Sequence, residues 1–113
     1  MISLTNEGFE EEVLGSKVPV VLFGTDGSKA CAAQEEEVLK AEKLLGDEVK
    51  VCCLDVNQLP MYALKFGLMD LPSVILMNMG LFCGKSNAFV TGEEIVSRVS
   101  ALKNDLTKEY TML

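Results

Sequence analysis

The residues best suited to chemistry in this sequence are its four cysteines, Cys31, Cys52, Cys53 and Cys83. A cysteine thiolate can attack a disulfide or bind a metal ion, so both kinds of site have to be considered. The sequence contains no histidine, which excludes Cys–His and Ser–His–Asp catalysis and any metal site with imidazole ligands. It also contains no Cys-x-x-Cys pair, so we predict neither a metal site nor a cofactor.

Cys31 falls in the first turn of a predicted helix that spans residues 28–45. The dipole of such a helix favours a thiolate near its N-terminus, which would make Cys31 reactive. Cys31 also shares one helix face with Val38 and Leu45, because the three residues are seven positions apart. The sequence therefore leaves two interpretations. Cys31 is either a one-cysteine redox site that needs an external thiol to complete its reaction, or a buried and inert thiol.

The other three cysteines are predicted to be packing residues. Cys52 and Cys53 are adjacent in a predicted strand, so their side chains point to opposite faces and make poor joint metal ligands or disulfide partners. Cys53 shares its strand face with Val51, and a redox pair between Cys53 and Cys31 is a further hypothesis. Cys83 lies on or near a hairpin strand, where we expect it to act as a small apolar filler.

Apolar runs and amphipathic segments predict the elements that position these cysteines. Short runs rich in Val, Ile and Leu indicate strands buried on both faces, and segments followed by glycine indicate helices. The predicted strands cover residues 2–4, 18–23, 49–56, 73–77 and 82 to about 90, and the predicted helices cover residues 7–14, 28–45, 59–66 and the region after 91. Strands separated by helices imply right-handed crossovers, so we predict one α/β domain over residues 1–113 in the order βαβαβαββα.

Local patterns refine two of these helices. Thr91 and Glu94 form a capping-box pattern at the start of the last helix. In the same helix an apolar stripe follows, made by Ile95, Val99, Leu102 and Leu106. In the long helix over residues 28–45, Glu36 and Lys40 are placed for an i,i+4 ion pair.

The charge balance limits the classes of partner. The chain has 10 basic and 17 acidic residues and a net charge of −7, which argues against nucleic acid and biases partners toward basic ones. The most apolar stretch, residues 68–83, is interrupted by Asp70, Pro72, Ser73 and Asn78, so we predict no membrane span and no membrane partner. The N-terminus lacks a basic region followed by a long apolar run, so we expect a cytoplasmic protein with reduced thiols.

The segment from residue 49 to residue 80 carries motifs in a distinctive order. The run Val-Cys-Cys-Leu-Asp-Val-Asn at residues 51–57 is followed by Phe66-Gly67-Leu68, by Leu71-Pro72-Ser73 and by Met79-Gly80. In this order and spacing the motifs resemble the thioredoxin family, and the similarity extends from Phe9 to about Leu102. The resemblance implies a three-layer α/β/α fold around a central mixed sheet.

The resemblance also implies a site, in which this sequence departs from the family. Thioredoxins carry Trp-Cys-Gly-Pro-Cys at the start of the long helix, where this chain reads Gly27-Ser28-Lys29-Ala30-Cys31. Ser28 thus stands at the position of the nucleophilic cysteine, and Cys31 stands at that of the resolving cysteine. The family's buried acid falls on Leu22, and the lysine of the next strand falls on Val51. Ordinary two-cysteine turnover is therefore not expected.

Other residues near this motif have predicted roles. Ser28 is a candidate N-cap whose side-chain oxygen would accept from the N–H of Ala30 or Cys31. Gly27 and Lys29 are candidate substrate-binding residues, Lys29 because it could hold an anion at the helix N-terminus. The resemblance implies that the bond before Pro72 is cis and that Leu71 offers its N–H and C=O to an extended peptide. The alternative is that Pro72 only sets a rigid bend.

Two classes of function follow from these features. The first is a thiol–disulfide oxidoreductase relative that acts through Cys31 alone on a disulfide or a persulfide. The second is a non-catalytic module that binds a protein or peptide, disulfide-containing or basic, in the groove beside Pro72. If the natural gene encoded cysteine or selenocysteine at position 28, the motif would be Cys-Lys-Ala-Cys, and a two-thiol oxidoreductase would be favoured.

Overall fold

The centre of the molecule is a five-stranded mixed sheet. The computed structural model describes residues 1–112, and it describes side chains for residues 1–103. The strands are β1 (Ile2–Ser3), β2 (Val20–Thr25), β3 (Lys50–Asp55), β4 (Ser73–Asn78) and β5 (Leu81–Ser86). Their order across the sheet is β1-β3-β2-β4-β5. β1, β3 and β2 are parallel, whereas β4 runs antiparallel to both β2 and β5.

Helices cover both faces of this sheet. The helices are α1 (Lys29–Leu45), α2 (Pro60–Lys65) and α3 (Gly92–Met112), and a five-residue π-helical turn spans Glu10–Leu14. One core cluster joins the sheet to the π-helical turn and α2, and a second joins the opposite face to α1 and α3. This arrangement confirms the predicted α/β/α layers and element order. None of the helices in the described residues is long and apolar enough to span a membrane.

The central strand β2 is buried at all six positions. Its residues alternate between the two clusters, so that Leu22 packs toward α2 while Phe23 packs toward α1. A continuous apolar run is what a strand covered by helices on both sides requires. β2 therefore determines where the following loop, residues 26–28, leaves the sheet.

The structure corrects the extent of two predicted elements. The strand predicted to reach residue 90 ends at Ser86, because the next side chain, Asn87, leaves the ladder and donates to Asp70 O and Ser73 Oγ, each at 2.8 Å. The helix predicted at 7–14 is only the Glu10–Leu14 turn, which is closed by a bond from Gly15 N to Glu10 O.

Buried and partly buried polar contacts join α1 to the start of α3 and the residues just before it. The Gln34 amide donates to Val90 O at 2.8 Å and accepts from Val90 N at 3.0 Å. Gly92 N donates to Glu37 Oε1 at 2.9 Å, and a Cβ on Gly92 would lie 2.9 Å from Lys40 Cβ. Lys40 pairs with Glu37 at 3.1 Å rather than with Glu36, so the predicted i,i+4 pair was wrong.

The start of α3 carries part of the predicted capping box. Thr91 Oγ1 accepts from Glu94 N at 3.2 Å. Ile95 and Val99 are buried and Leu102 is half-buried, which confirms that stripe as far as residue 102. The side chain of Leu106 lies outside the described residues.

Candidate active site

The candidate site lies where β2 ends and β4 begins. Gly24 near the end of β2 pairs with Ser73 at the start of β4, so the loops before α1 and before β4 leave the same end of the sheet. The Leu71–Pro72 peptide bond is cis. A Cβ on Gly24 would lie 3.1 Å from Leu68 and 3.6 Å from Leu71, so glycine allows the two loops to pack closely.

Ser28 is the N-cap residue of α1, but its side chain does not cap the helix. Its backbone is extended (φ −75°, ψ 165°), and its side chain accepts no backbone N–H, so the predicted bond from Ala30 or Cys31 was wrong. The Ser28 hydroxyl instead donates to Cys31 Sγ at 3.6 Å. The N–H of Cys31 is satisfied by Ser28 O at 3.1 Å, which leaves the hydroxyl available to the sulfur.

Asp26 is a site residue that the sequence did not reveal. Its Oδ1 accepts from the Cys31 thiol at 3.4 Å and from Ser28 N at 2.9 Å. Gly27, with φ +78°, turns the chain so that the carboxylate reaches back over the helix start. The Asp-Gly-Ser order is a turn signal that could have indicated this local bond. The contact with a sulfur five residues later depends on how the turn meets the helix.

The loop around Asp26 is fixed at both ends. Thr25 Oγ1 accepts from Gly27 N at 3.0 Å, and the Asn57 side chain donates to Asp26 O at 3.4 Å. The pKa of Asp26 lies below its ordinary value because the nearby Ser28 side chain, the Ser28 backbone N–H and then the Cys31 thiol stabilise its carboxylate. Asp26 is therefore ionised throughout the neutral range.

A cavity of about 180 Å³ opens above these groups. It is lined by Thr25, Gly27, Ser28, Cys31, Ala32 and Glu35. Three predicted site residues, Gly27, Ser28 and Cys31, are therefore brought together. Cys31 is only 1% exposed, so its sulfur lies beneath the hydroxyl and carboxylate and not at the open surface.

The remaining predicted site residues lie outside the lining of this cavity. Lys29 is exposed at the first residue of α1, and its side chain makes no hydrogen bond or ion pair with the described side chains. Leu71 and Pro72 are half-buried at the start of β4. Within the part of the chain that the structure describes, neither the N–H nor the C=O of Leu71 has a hydrogen-bond partner.

An exposed aromatic residue in the segment after β5 was also missed. The bonds from Asn87 to Asp70 and Ser73 tie the segment after β5 to this loop. Two residues further, Phe89 is 59% exposed. The sequence placed residues 82–90 in a strand, so it gave no reason to expect an exposed aromatic ring two residues after Asn87.

The other cysteines do not supply a second thiol in this cavity. Cys52 and Cys53 pack on opposite faces of β3, as predicted, and all four cysteines are free. Burial raises the pKa of Cys52 to about 11, and burial followed by the charges of Glu35 and Asp55 raises that of Cys53. Both therefore remain protonated at neutral pH.

Cys83 lies on the edge strand β5, away from this end of the sheet. It is exposed, so the prediction that it fills space was wrong. The reason is its place opposite the register shift between Leu76 and Met77, where β5 carries an extra residue. Within the described residues, no group of three or more cysteine and acidic side chains could hold a metal ion.

Comparison with known proteins identifies relatives of this chain. No family model matches the chain. The chain is 30% identical over 79 residues to a thioredoxin of Rickettsia bellii, a match that covers 69% of this chain and 75% of that protein. It is likewise 30% identical over 81 residues to a thioredoxin of Acetoanaerobium sticklandii, covering 71% and 77%. The chain belongs to the thioredoxin family.

Solved structures agree with the thioredoxin fold. A thioredoxin-2 described as a component of malaria parasite protein secretion machinery superposes with a TM-score of 0.71 at 22% identity, covering 74% of this chain and 82% of that one. A second malarial protein gives a TM-score of 0.68 at 22% identity, covering 74% and 96%. The predicted thioredoxin-like fold is thereby confirmed. Membership of this family supports a thiol–disulfide redox function for the chain.

Proposed function

We propose that this thioredoxin-family protein carries out at most single-thiol exchange, through Cys31, with a protein or peptide disulfide or a persulfide. The observation that supports this most directly is the 3.6 Å contact between Ser28 Oγ and Cys31 Sγ. A hydroxyl occupies the position from which a second sulfur would have to attack. A serine hydroxyl is not a nucleophile at neutral pH unless a base activates it.

The proposed exchange has two steps. Cys31 loses its proton, and the thiolate attacks one sulfur of a disulfide R–S–S–R′, forming Cys31–S–S–R and releasing R′–S⁻, which takes up a proton. An external thiol R″–SH then attacks the mixed disulfide, restores Cys31–SH and forms R–S–S–R″. The external thiol is required because the cavity is lined by no other cysteine of the described residues.

A reducing compartment is part of this proposal. An external thiol is abundant in the cytoplasm, where cysteines also remain reduced. The four free cysteines support this location.

The test uses reduced protein and a small dipyridyl disulfide. Single-thiol exchange predicts one pyridyl adduct on Cys31, released again by glutathione, and a reaction with insulin that stops at the mixed disulfide when no external thiol is added. Cys31→Ala should lose this adduct, whereas the matched variant Cys83→Ala should keep it. Release of fully reduced insulin by the wild-type chain without an added thiol, or no adduct on Cys31 in the folded protein, would contradict the proposal.

A second candidate function, a peptide-binding module without chemistry, is favoured by a different observation. The unpaired N–H and C=O of Leu71 offer the two groups that an added peptide strand needs. Exposed Phe89 adds apolar surface two residues after Asn87, which bonds Asp70 and Ser73 on either side of Leu71 and Pro72. The net charge of −7 would then favour a basic peptide.

This candidate is tested with a labelled peptide of alternating lysine and valine, and with its glutamate–valine analogue. The lysine peptide should bind more tightly, and Leu71→Pro, which removes the N–H, should weaken binding by roughly fivefold or more. Leu71→Ala keeps the backbone groups and serves as the matched control. Binding that survives in Cys31→Ala supports a module, and failure of both peptides to bind excludes it.

A further inference from the structure

We propose that Asp26 is a positioning residue that restrains Cys31, because its carboxylate holds the thiol proton and so opposes formation of the thiolate. The inference rests on the proposed role of Cys31 in exchange. Its basis is a continuous chain of donors and acceptors at the helix start. The Ser28 hydroxyl donates to Cys31 Sγ at 3.6 Å, and the Cys31 thiol donates to Asp26 Oδ1 at 3.4 Å.

The direction of the effect follows from the chemistry of the two acids. An aspartate ordinarily titrates at a pH of about 4 and a thiol at about 8.5, so the carboxylate does not take the proton at equilibrium. The pKa of Asp26 is lowered further by hydrogen bonds from Ser28 and Cys31, which makes this carboxylate a weaker base still. It remains an anion that accepts a hydrogen bond only from a protonated sulfur. Forming the thiolate breaks that bond and places two negative charges together.

Asp26 and the helix therefore act on Cys31 in opposite directions. The N-terminus of α1 favours a negative sulfur, whereas the carboxylate over that N-terminus already uses Ser28 N–H at 2.9 Å. The other charged groups around this end of α1 are Glu35 in the cavity lining, Lys29 at the first helical residue and Asp55 at the end of β3. None of these three makes a hydrogen bond to Cys31 in the described structure.

The test measures the alkylation rate of Cys31 by iodoacetamide between about pH 6 and pH 9. Mass spectrometry follows the Cys31 peptide, with exposed Cys83 as the internal reference. Asp26→Asn should accelerate Cys31 by roughly three- to tenfold near neutral pH, because the sulfur no longer loses a hydrogen bond to an anion when it gives up its proton. Glu36→Gln removes a charge from the exposed face of the same helix, outside the cavity, and should change the rate by less than about twofold.

A second readout separates this inference from the proposed function. The carboxyl titration of Asp26, followed by NMR, should move to higher pH in Cys31→Ala, because a donor to the carboxylate is lost. This shift is expected even if Cys31 forms no mixed disulfide, in which case only the proposed exchange fails. An unchanged or slower alkylation of Asp26→Asn, or an Asp26 titration that ignores loss of Cys31, would overturn the role of Asp26.

Discussion

At the scale of single residues, Ser28 changes how the site can react. The N-terminus of α1 has serine at one position of the motif and a buried cysteine at the other, so the site has one nucleophile, which lies beneath the Ser28 hydroxyl. Ser28 Oγ is 3.6 Å from Cys31 Sγ, and the position of this oxygen shows where a second sulfur would lie. The chain therefore retains the geometry of a two-sulfur site with one of the sulfurs missing.

Substitution of this single atom should restore a redox pair. We predict that Ser28→Cys forms a disulfide with Cys31 under mild oxidation, because the two sulfurs need only a small shift to reach bonding distance. The expected results are an oxidised variant lighter by two hydrogens and, from the reduced variant, release of reduced insulin without an added thiol. Ser28→Ala is the control. A variant that stays a dithiol under oxidant would show that the backbone no longer permits the bond.

At the scale of elements, the two large helices begin in chemically different ways. Thr91 caps α3 with a bond from Glu94 N at 3.2 Å, whereas Ser28 precedes α1 without a side-chain capping bond. A side-chain hydroxyl therefore caps α3, whereas at the start of α1 a side-chain hydroxyl contacts a sulfur.

This difference predicts unequal costs of removing the two hydroxyl groups. Thr91→Ala should lower the free energy of unfolding by about 1 kcal/mol, the usual loss for an N-cap. Ser28→Ala should lower it by less than about 0.5 kcal/mol, since no backbone N–H loses its partner. Urea denaturation of the two variants and the wild-type protein checks this order. Equal losses would mean that Ser28 caps α1 in solution.

The elements were largely predictable, because each depends on local patterns. β2 follows from a run of consecutive apolar residues and α1 from an amphipathic segment followed by glycine, and both elements form within two residues of where they were expected. The end of β5 was not predictable, since Asn87 leaves the strand to bond groups 14 and 17 residues earlier.

The site was predictable in its members and not in its contacts. Gly27, Ser28 and Cys31 were expected together because they are close in sequence. The role of Asp26 and the direction of the Ser28 hydroxyl were not foreseen. They depend on a competition between a backbone N–H, a sulfur and a carboxylate within a few ångströms, and residue spacing does not record the outcome.

At the scale of the whole molecule, the buried thiol of Cys52 makes the free energy of unfolding depend on pH. The pKa of Cys52 rises from 9.0 to about 11 on folding, chiefly because burial disfavours the thiolate. Between these values the unfolded chain has released the proton and the folded chain has kept it. The unfolded state thus binds fewer protons, and stability falls as the pH rises.

We therefore predict an alkaline decline in stability between about pH 9 and pH 11 that is shallower in Cys52→Ala. This variant should be less stable at every pH because it leaves a small cavity, so the slopes are the quantity to compare. The measurement is urea denaturation at a series of pH values. Exposed Cys83→Ala should keep the wild-type slope, and identical slopes in all three proteins would contradict the assignment to Cys52.

The contact at Gly92 has a consequence for how this protein can evolve. A side chain there would meet Lys40 Cβ at 2.9 Å and Glu37 O at 3.0 Å, so even alanine would force α3 away from α1. Gly92 N also holds the Glu37 carboxylate. A substitution at position 92 can therefore be accepted only together with a change that moves the two helices apart, and glycine is required there for as long as they remain docked.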